Sequence, residues 1–261
     1  MRAGCPPGLS RLYIGGTLAG HVRELSRTGS SLGCLYSAES FHRNVLMHRE
    51  EKIPLFPLEV VLLPHIPLPL HIFEERYKLM IGECLVQNRE FGVVYFDGSK
   101  VRKVGCTAKI TSVLKRYDDG RMDIVTRGEK RFVLKKISDE KPYLEGDVTY
   151  FDDEGEEYSE ETDRAAREGV RLLRRVYGLM RKGLTLDEVP ERDLQTLSFV
   201  IAGNEGFALD DKQRLLEMTS TRERLVACVE CLRDALQRMK TGEQVRKIIS
   251  GNGSLLKGLQ S

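Results

Sequence analysis

Two small constellations in this chain could do chemistry: Cys228-x-x-Cys231, and His71 with Glu74 and Glu75 close behind it. Thiols at that spacing could form half of a zinc site or a redox pair. A tetrahedral zinc needs two more ligands, and the sequence offers no second C-x-x-C or C-x-x-H. All five His precede Ile72. Cys228 also falls on an apolar helical stripe, and free Cys is among the most buried residue types, so the pair reads as core or edge cysteines rather than metal ligands. His71 could pair with a Glu in acid-base work. No nucleophile or further carboxylate is marked beside it, so the reading is structural. The imidazole is expected to bond a backbone group or Glu74 and fix a strand-to-helix corner. No catalytic residue, metal ligand or cofactor is expected.

The phosphate loop G-x-x-x-x-G-K-[ST] and the patterns G-x-S-x-G, H-E-x-x-H and G-x-G-x-x-G are missing, which argues against a P-loop ATPase and several hydrolase or dinucleotide folds. A basic run holds Lys109, Lys115, Arg116, Arg131 and Lys135, with Tyr117, Phe132 and Tyr143 interleaved. Such a face could bind single-stranded nucleic acid. The plainer reading, a solvated sheet face balanced by acids elsewhere, ranks first, since the aromatics are not grouped.

The elements that must position these residues change character along the chain. Residues 53–77, IPLFPLEVVLLPHIPLPLHIFEERY, are apolar but broken by Pro54, Pro57, Pro64, Pro67 and Pro69. Proline cannot donate to a ladder, so the spacing predicts short kinked strands at 53–56, 60–63 and 68–72. A membrane span is not expected, since no apolar run approaches about 20 residues. Helical spacing then takes over at Phe73, Tyr77, Met80, Ile81, Cys84 and Leu85, with Glu74 and Glu75 in the first turn. From Phe91 to Phe151 alternation predicts strands, with a hairpin turn at Asp118-Asp119-Gly120.

An acidic linker begins at Asp152, and every periodic segment after it is helical. One helix is expected from near Ser159 with Ala165, Leu172, Leu173, Val176 and Met180 inward, and a second from Pro190. Asp210 is read as capping a third, and Ser220 with Glu223 as opening a fourth that carries Leu225, Cys228, Val229, Leu232, Leu236 and Met239. The fold expected is α+β: a mostly antiparallel, bent sheet or pseudo-barrel with one helix, then a helical bundle. The domain reading is 1–46 as a disordered extension or mis-assigned start with Met47 as initiator, 47–152 as the β-rich part, 153–240 as the helical part and 241–261 as a flexible tail. The first 46 residues hold five Arg and no Lys and show no periodicity. The net charge of +2 demands no polyanion, and six irregularly spaced Cys read as reduced thiols of a cytoplasmic protein.

IPLFPLEVVLLP, PLPLHIFEERYKLMI, EFGVVYF and VGCTAKITSVLKRYDDGRMDIVTRGEKRFVL occur in that order. Together they resemble the amino-terminal substrate-recognition domain of Lon proteases, the S16 peptidase family, and most closely the stand-alone Lon-substrate-binding-domain proteins of bacteria. The resemblance covers 53–239, with Glu59 and His65 standing where the family usually has Gly. It implies a PUA-like fold and a non-catalytic module that recognises unfolded or partly folded polypeptide, with a protease or chaperone as partner. With 22 residues after Met239, no room is expected for a motor or protease domain. Some PUA-fold proteins bind RNA, which makes nucleic acid the second-ranked partner. A polypeptide site needs exposed apolar surface between barrel and bundle. Candidates are Phe56, Leu58, Phe73, Tyr77, Phe96 and Phe207, of which Phe207, in a Gly-containing loop, is expected to be most exposed. Strand addition at a sheet edge is the alternative binding mode.

Overall fold

The computed structural model describes residues 50–155, 159–180 and 193–255, with side chains to 241. Strand β1, Glu51–Leu58, changes partners halfway. Residues 51–54 pair antiparallel with β6, Glu145–Phe151, and residues 55–58 pair parallel with β3, Phe91–Phe96. Each half has one ladder partner, so Pro54 and Pro57 can sit in it without removing a donor the sheet needs. Strands β2 (Pro67–Ile72), β4 (Val101–Arg116) and β5 (Met122–Ser138) complete a sheet in the order β2-β5-β4-β3-β1-β6. A further β5–β6 pairing closes it into a pseudo-barrel. All pairings are antiparallel except β1 with β3. Register shifts along β4 and β5 add the local twist that closure needs. Ile53, Leu55, Val94, Phe132, Leu134 and Val148 fill the interior.

Residues 60–63, expected as a strand, form none. They belong to a loop stitched to β5 at Gly128: His65 N–H donates to Gly128 O at 2.8 Å, and Gly128 N–H donates to Ile66 O at 3.0 Å. Leu62 and Leu63 are buried under it. Their apolarity reflects a loop folded onto the barrel, and His65, at φ 66°, makes the left-handed turn that sends the chain back.

Helix α1, Glu75–Gln87, buries Tyr77, Met80, Ile81 and Cys84 and ends at Asn88 in a left-handed cap. Its outer face is tied to the barrel. Glu83 accepts from the Tyr143 hydroxyl and from Lys141 Nζ, and Lys78 Nζ donates to Asp119 O at 2.8 Å in the β4–β5 turn.

A second compact unit starts after Glu154. It contains α2 (Glu160–Met180), α3 (Leu194–Ala202), α4 (Leu209–Glu217) and α5 (Thr221–Leu255). Ser159 Oγ accepts from Thr162 N–H and opens α2; Ser220 Oγ accepts from Glu223 N–H and opens α5. Ala166 rather than Ala165 is the alanine buried on α2. Asp193 caps α3, while Pro190, the expected start, lies outside the described residues. Asp210 does not cap α4: Ala208 holds that position, and Asp210 and Asp211 lie in the first turn, where the helix dipole favours them. The expected tail from 241 is helical as far as Leu255, because α5 continues. The segment 1–46 and Met47 lie outside the described residues. Among those residues, no helix is long and apolar enough to cross a membrane.

The largest fully buried side chain is Arg224. Its guanidinium donates to Ser198 Oγ (2.7 Å), Met218 O (2.9 Å) and Thr221 Oγ1 (3.2 Å) and lies 4.0 Å from the Phe199 ring centroid. A buried charge survives only with such partners.

Candidate functional site

The register of three strands builds one polar cluster. β2 pairs with β5 so that His71 lies opposite Asp123, and β4 pairs with β5 so that Lys115 lies opposite Asp123 on the other side. His71 Nδ1 is 2.6 Å from Asp123 Oδ1, and the Tyr117 hydroxyl donates to Asp123 Oδ2 at 2.8 Å. Partial burial opposes ionisation of Asp123, but the bonds from His71 and Tyr117, with Lys115 nearby, hold its carboxyl below the usual range. The partner of His71 is thus Asp123, not Glu74 or a backbone group, and the imidazole is exposed rather than buried in its strand. Glu74 is instead taken by Arg76 at 2.7 Å. No hydroxyl or thiol is hydrogen-bonded to His71 among the described residues, so the pair has no nucleophile to activate.

An exposed aromatic patch grows from this cluster. Phe73 follows β2 directly and is 42% exposed. Its ring is stacked with His71 at 6.0 Å between centroids, and Tyr117 meets His71 edge-on, also at 6.0 Å. Lys115 Nζ and the Arg121 guanidinium lie 4.3 and 4.9 Å from the Tyr117 centroid. Leu114, on the same hairpin arm, is exposed as well. The Lys78–Asp119 bond pins the hairpin to α1, so the patch stands on rigid elements. Phe73, His71 and Tyr117 offer an apolar surface with a cationic rim, suited to a chain segment with apolar or aromatic side chains.

Of the six proposed contact residues, only Phe73 is well exposed. Phe56, Leu58 and Tyr77 are buried in the β unit, where Phe56 stacks on Tyr77 at 4.0 Å and approaches Phe91 at 6.2 Å. Phe96 is half-buried at the end of β3. Phe207, expected to be the most exposed, is 6% exposed, because its loop turns inward with Phe207 N–H bonded to Asn204 O. Lys109, Lys115, Arg116 and Lys135 are exposed. Arg131 is not part of that face: it is buried, paired with Asp153 and Asp152, and placed over the Phe151 ring at 4.6 Å. Sequence reading missed Asp123, whose place beside His71 depends on a pairing 52 residues apart.

The edge offered by β2 carries Pro67 and Pro69, which cannot donate to an added strand, so strand addition there lacks two donors. Cys228 and Cys231 are buried free thiols; Cys228 donates to Ser198 O at 3.6 Å, and burial pushes its pKa up to about 12. Among the described residues no group of three His, Cys, Asp or Glu could hold a metal ion.

The sequence model of the family described as ATP-dependent protease La (LON) substrate-binding domain matches residues 52–234. A Lon protease of Flavobacterium johnsoniae is 22% identical over 218 residues, which cover 77% of this chain and 26% of that protein. The chain therefore spans about a quarter of the length of that curated relative. Two solved structures share the fold. The Lon N-terminal domain protein of Xanthomonas campestris has a TM-score of 0.54 at 22% identity, covering 67% of this chain and 95% of that one. The N-terminal domain of the Mycobacterium avium complex Lon protease has a TM-score of 0.58 at 20% identity, covering 70% and 99%.

Proposed function

Because the chain belongs to the family of LON substrate-binding domains, we propose that it is a non-enzymatic cytoplasmic module that recognises unfolded or partly folded polypeptide through the patch at Phe73. The observation that carries this reading is an exposed phenylalanine, stacked on His71, on a corner held rigid by the Asp123 and Lys78 bonds. An exposed aromatic on a fixed support gains area from a partner without having to be ordered first. A client engaged there would pass to a separate protease or chaperone. The nucleic-acid reading has lost Arg131 from its face, and what remains of it shares Lys115 and Tyr117 with the Phe73 patch, so binding of RNA is measured alongside.

The test is fluorescence anisotropy with a labelled, permanently unfolded polypeptide, in wild type and in Phe73→Ala. Binding that survives moderate salt and weakens about tenfold on loss of Phe73, the scale of an aromatic contact residue, supports the reading. Phe73 is exposed, so the variant should keep its circular dichroism and melting temperature. Equal binding by both proteins, or binding of single-stranded RNA alone, refutes it.

A further inference from the structure

Helix α2 presents a row of five arginines to solvent, with Glu160, Glu161, Gly178 and Leu179 the other exposed residues of the helix. Arg164, Arg167, Arg171, Arg174 and Arg175 are all exposed. Their spacing puts them on one side, opposite the buried Ala166, Gly169, Leu172, Leu173 and Val176. The helix contains five Arg and no Lys. From the first to the last the row runs about 16 Å at 1.5 Å per residue.

The row is not neutralised along its length. Asp163 pairs with Arg167 at 3.3 Å. Glu168 takes Arg171 in a two-pronged contact, 2.7 Å from both Nε and Nη2, and meets Arg233 of α5 at 3.4 Å. Arg164, Arg174 and Arg175 are in no ion pair among the described residues. Like charges three and four residues apart work against a helix, and a merely solvated face would accept lysine equally well. Arginine differs in offering a planar fork to a carboxylate or phosphate.

We propose that this face of α2 docks an acidic polypeptide segment, a second contact independent of the Phe73 patch. Two observations favour carboxylate over nucleic-acid phosphate. The one fork geometry present on the row is Arg171 on a carboxylate. The exposed large hydrophobics described in the helical unit, Leu179 and Val226, are aliphatic, and Tyr177, the aromatic of α2, is half-buried, so among the described residues of this unit no fully exposed ring is offered to a base. The open positions lie at the two ends, Arg164 and the Arg174–Arg175 pair, about 15 Å apart. An extended segment spans that distance with carboxylates about five residues apart, and Arg167 and Arg171 become available to it only by exchanging their own acids.

The test titrates the full chain against a short fluorescein-labelled peptide of repeating Glu-Glu-Gly-Ser, with a Gln-for-Glu peptide and labelled single-stranded RNA beside it. Wild type should bind the acidic peptide in a salt-sensitive manner and the Gln peptide not at all. The triple variant R164Q/R174Q/R175Q should bind about tenfold more weakly. R164K/R174K/R175K should fall between, since it keeps charge and loses the fork. Lys109→Gln with Lys135→Gln, two exposed lysines outside both surfaces, should leave the affinity unchanged. All of these side chains are exposed, so thermal melts should coincide. Absence of binding by wild type, equal binding by the triple Gln variant, or loss in the Lys109/Lys135 control overturns the proposal. RNA held more tightly than the acidic peptide through the same arginines also overturns it, as to partner class.

Discussion

Replacing Gly128 by alanine should detach the loop that joins β1 to β2. A Cβ built on Gly128 would stand 2.1 Å from the carbonyl oxygen of Leu63, 2.8 Å from its carbon and 3.2 Å from Cys106 Sγ. The two closest atoms are backbone, so no rotamer change relieves the clash. β5 is paired on both sides here, Arg127 with Pro67 and Gly128 with Ala108, so the loop must yield. It would lose the His65–Gly128 and Gly128–Ile66 bonds, each worth about 0.5–1.5 kcal/mol net. It would also uncover Leu62 and Leu63, now 3% and 1% exposed, at about 1.5–3 kcal/mol for each one fully exposed. Tethering at both ends keeps that exposure partial, so the expected loss is about 4 kcal/mol. Urea unfolding measures the loss, and hydrogen exchange localises it to the His65 amide. Gly82→Ala is the counter-case. Gly82 lies inside α1 with nothing within 4 Å of its Cβ position, and the change should stabilise by about 0.5–1 kcal/mol. A Gly128→Ala protein that unfolds at the wild-type midpoint, or whose His65 amide stays equally protected, would refute the argument.

Two further changes test local geometry. His65 is exposed and left-handed at φ 66°, a conformation that costs an ordinary residue about 1 kcal/mol, so His65→Gly should raise stability slightly in urea unfolding despite the added chain entropy; a marked loss would mean the imidazole has a structural role. Asp97 accepts from Ser99 Oγ, and from the backbone N–H groups of Ser99 and Lys100, which hold its carboxyl down to about 2 from 3.8. A depressed acid stabilises the folded state above its unfolded pKa and loses that contribution as pH falls through the folded one. Wild type should therefore lose this share between about pH 4 and 2, while Asp97→Asn, less stable at neutral pH, should show a flatter acid limb; parallel urea midpoints across that range would contradict this.

The parts of the fold legible in the sequence are those where a local signal and the tertiary environment agree. The Asp118-Asp119-Gly120 turn forms as its residue types demand, with Gly120 at φ 82° and its N–H bonded to Tyr117 O. The stripe on α5 is buried from Leu225 to Leu236. Residues 60–63 fail for a definite reason. A run of apolar residues reports that the segment is covered, not that it is hydrogen-bonded into a ladder. What makes it a loop is a bare backbone position on β5, Gly128, far along the chain. The partner switch within β1 is hidden in the same way, since Pro54 and Pro57 look like breakers until each half is seen to need one partner only.

Recognition surfaces are harder to read than cores, and Phe56, Phe73 and Phe207 show why. Residue type says that each ring gains by leaving water, which is equally true of a core residue and of a contact residue. Phe56 lies in a strand buried without interruption from Ile53 to Leu58, so neighbouring positions settle its fate. Phe207 sits in a glycine-bearing loop that suggests exposure, yet one bond to Asn204 O turns it inward. Phe73 falls between the last residue of β2 and the start of α1, where neither the two-residue nor the 3.6-residue period applies. Its exposure depends on where the β4–β5 hairpin comes to rest, and that in turn on contacts such as Lys78 with Asp119 and His71 with Asp123. The arginine row of α2 is the opposite case. Arg at 164, 167, 171, 174 and 175 is a helical period in plain view, but apolar periodicity does not register it, because it lies on the polar face. A charged stripe follows the same geometry as an apolar one. Scanning for arginine at that spacing, apart from hydropathy, would have found a candidate surface whose direction, unlike that of Phe73, the helix itself determines.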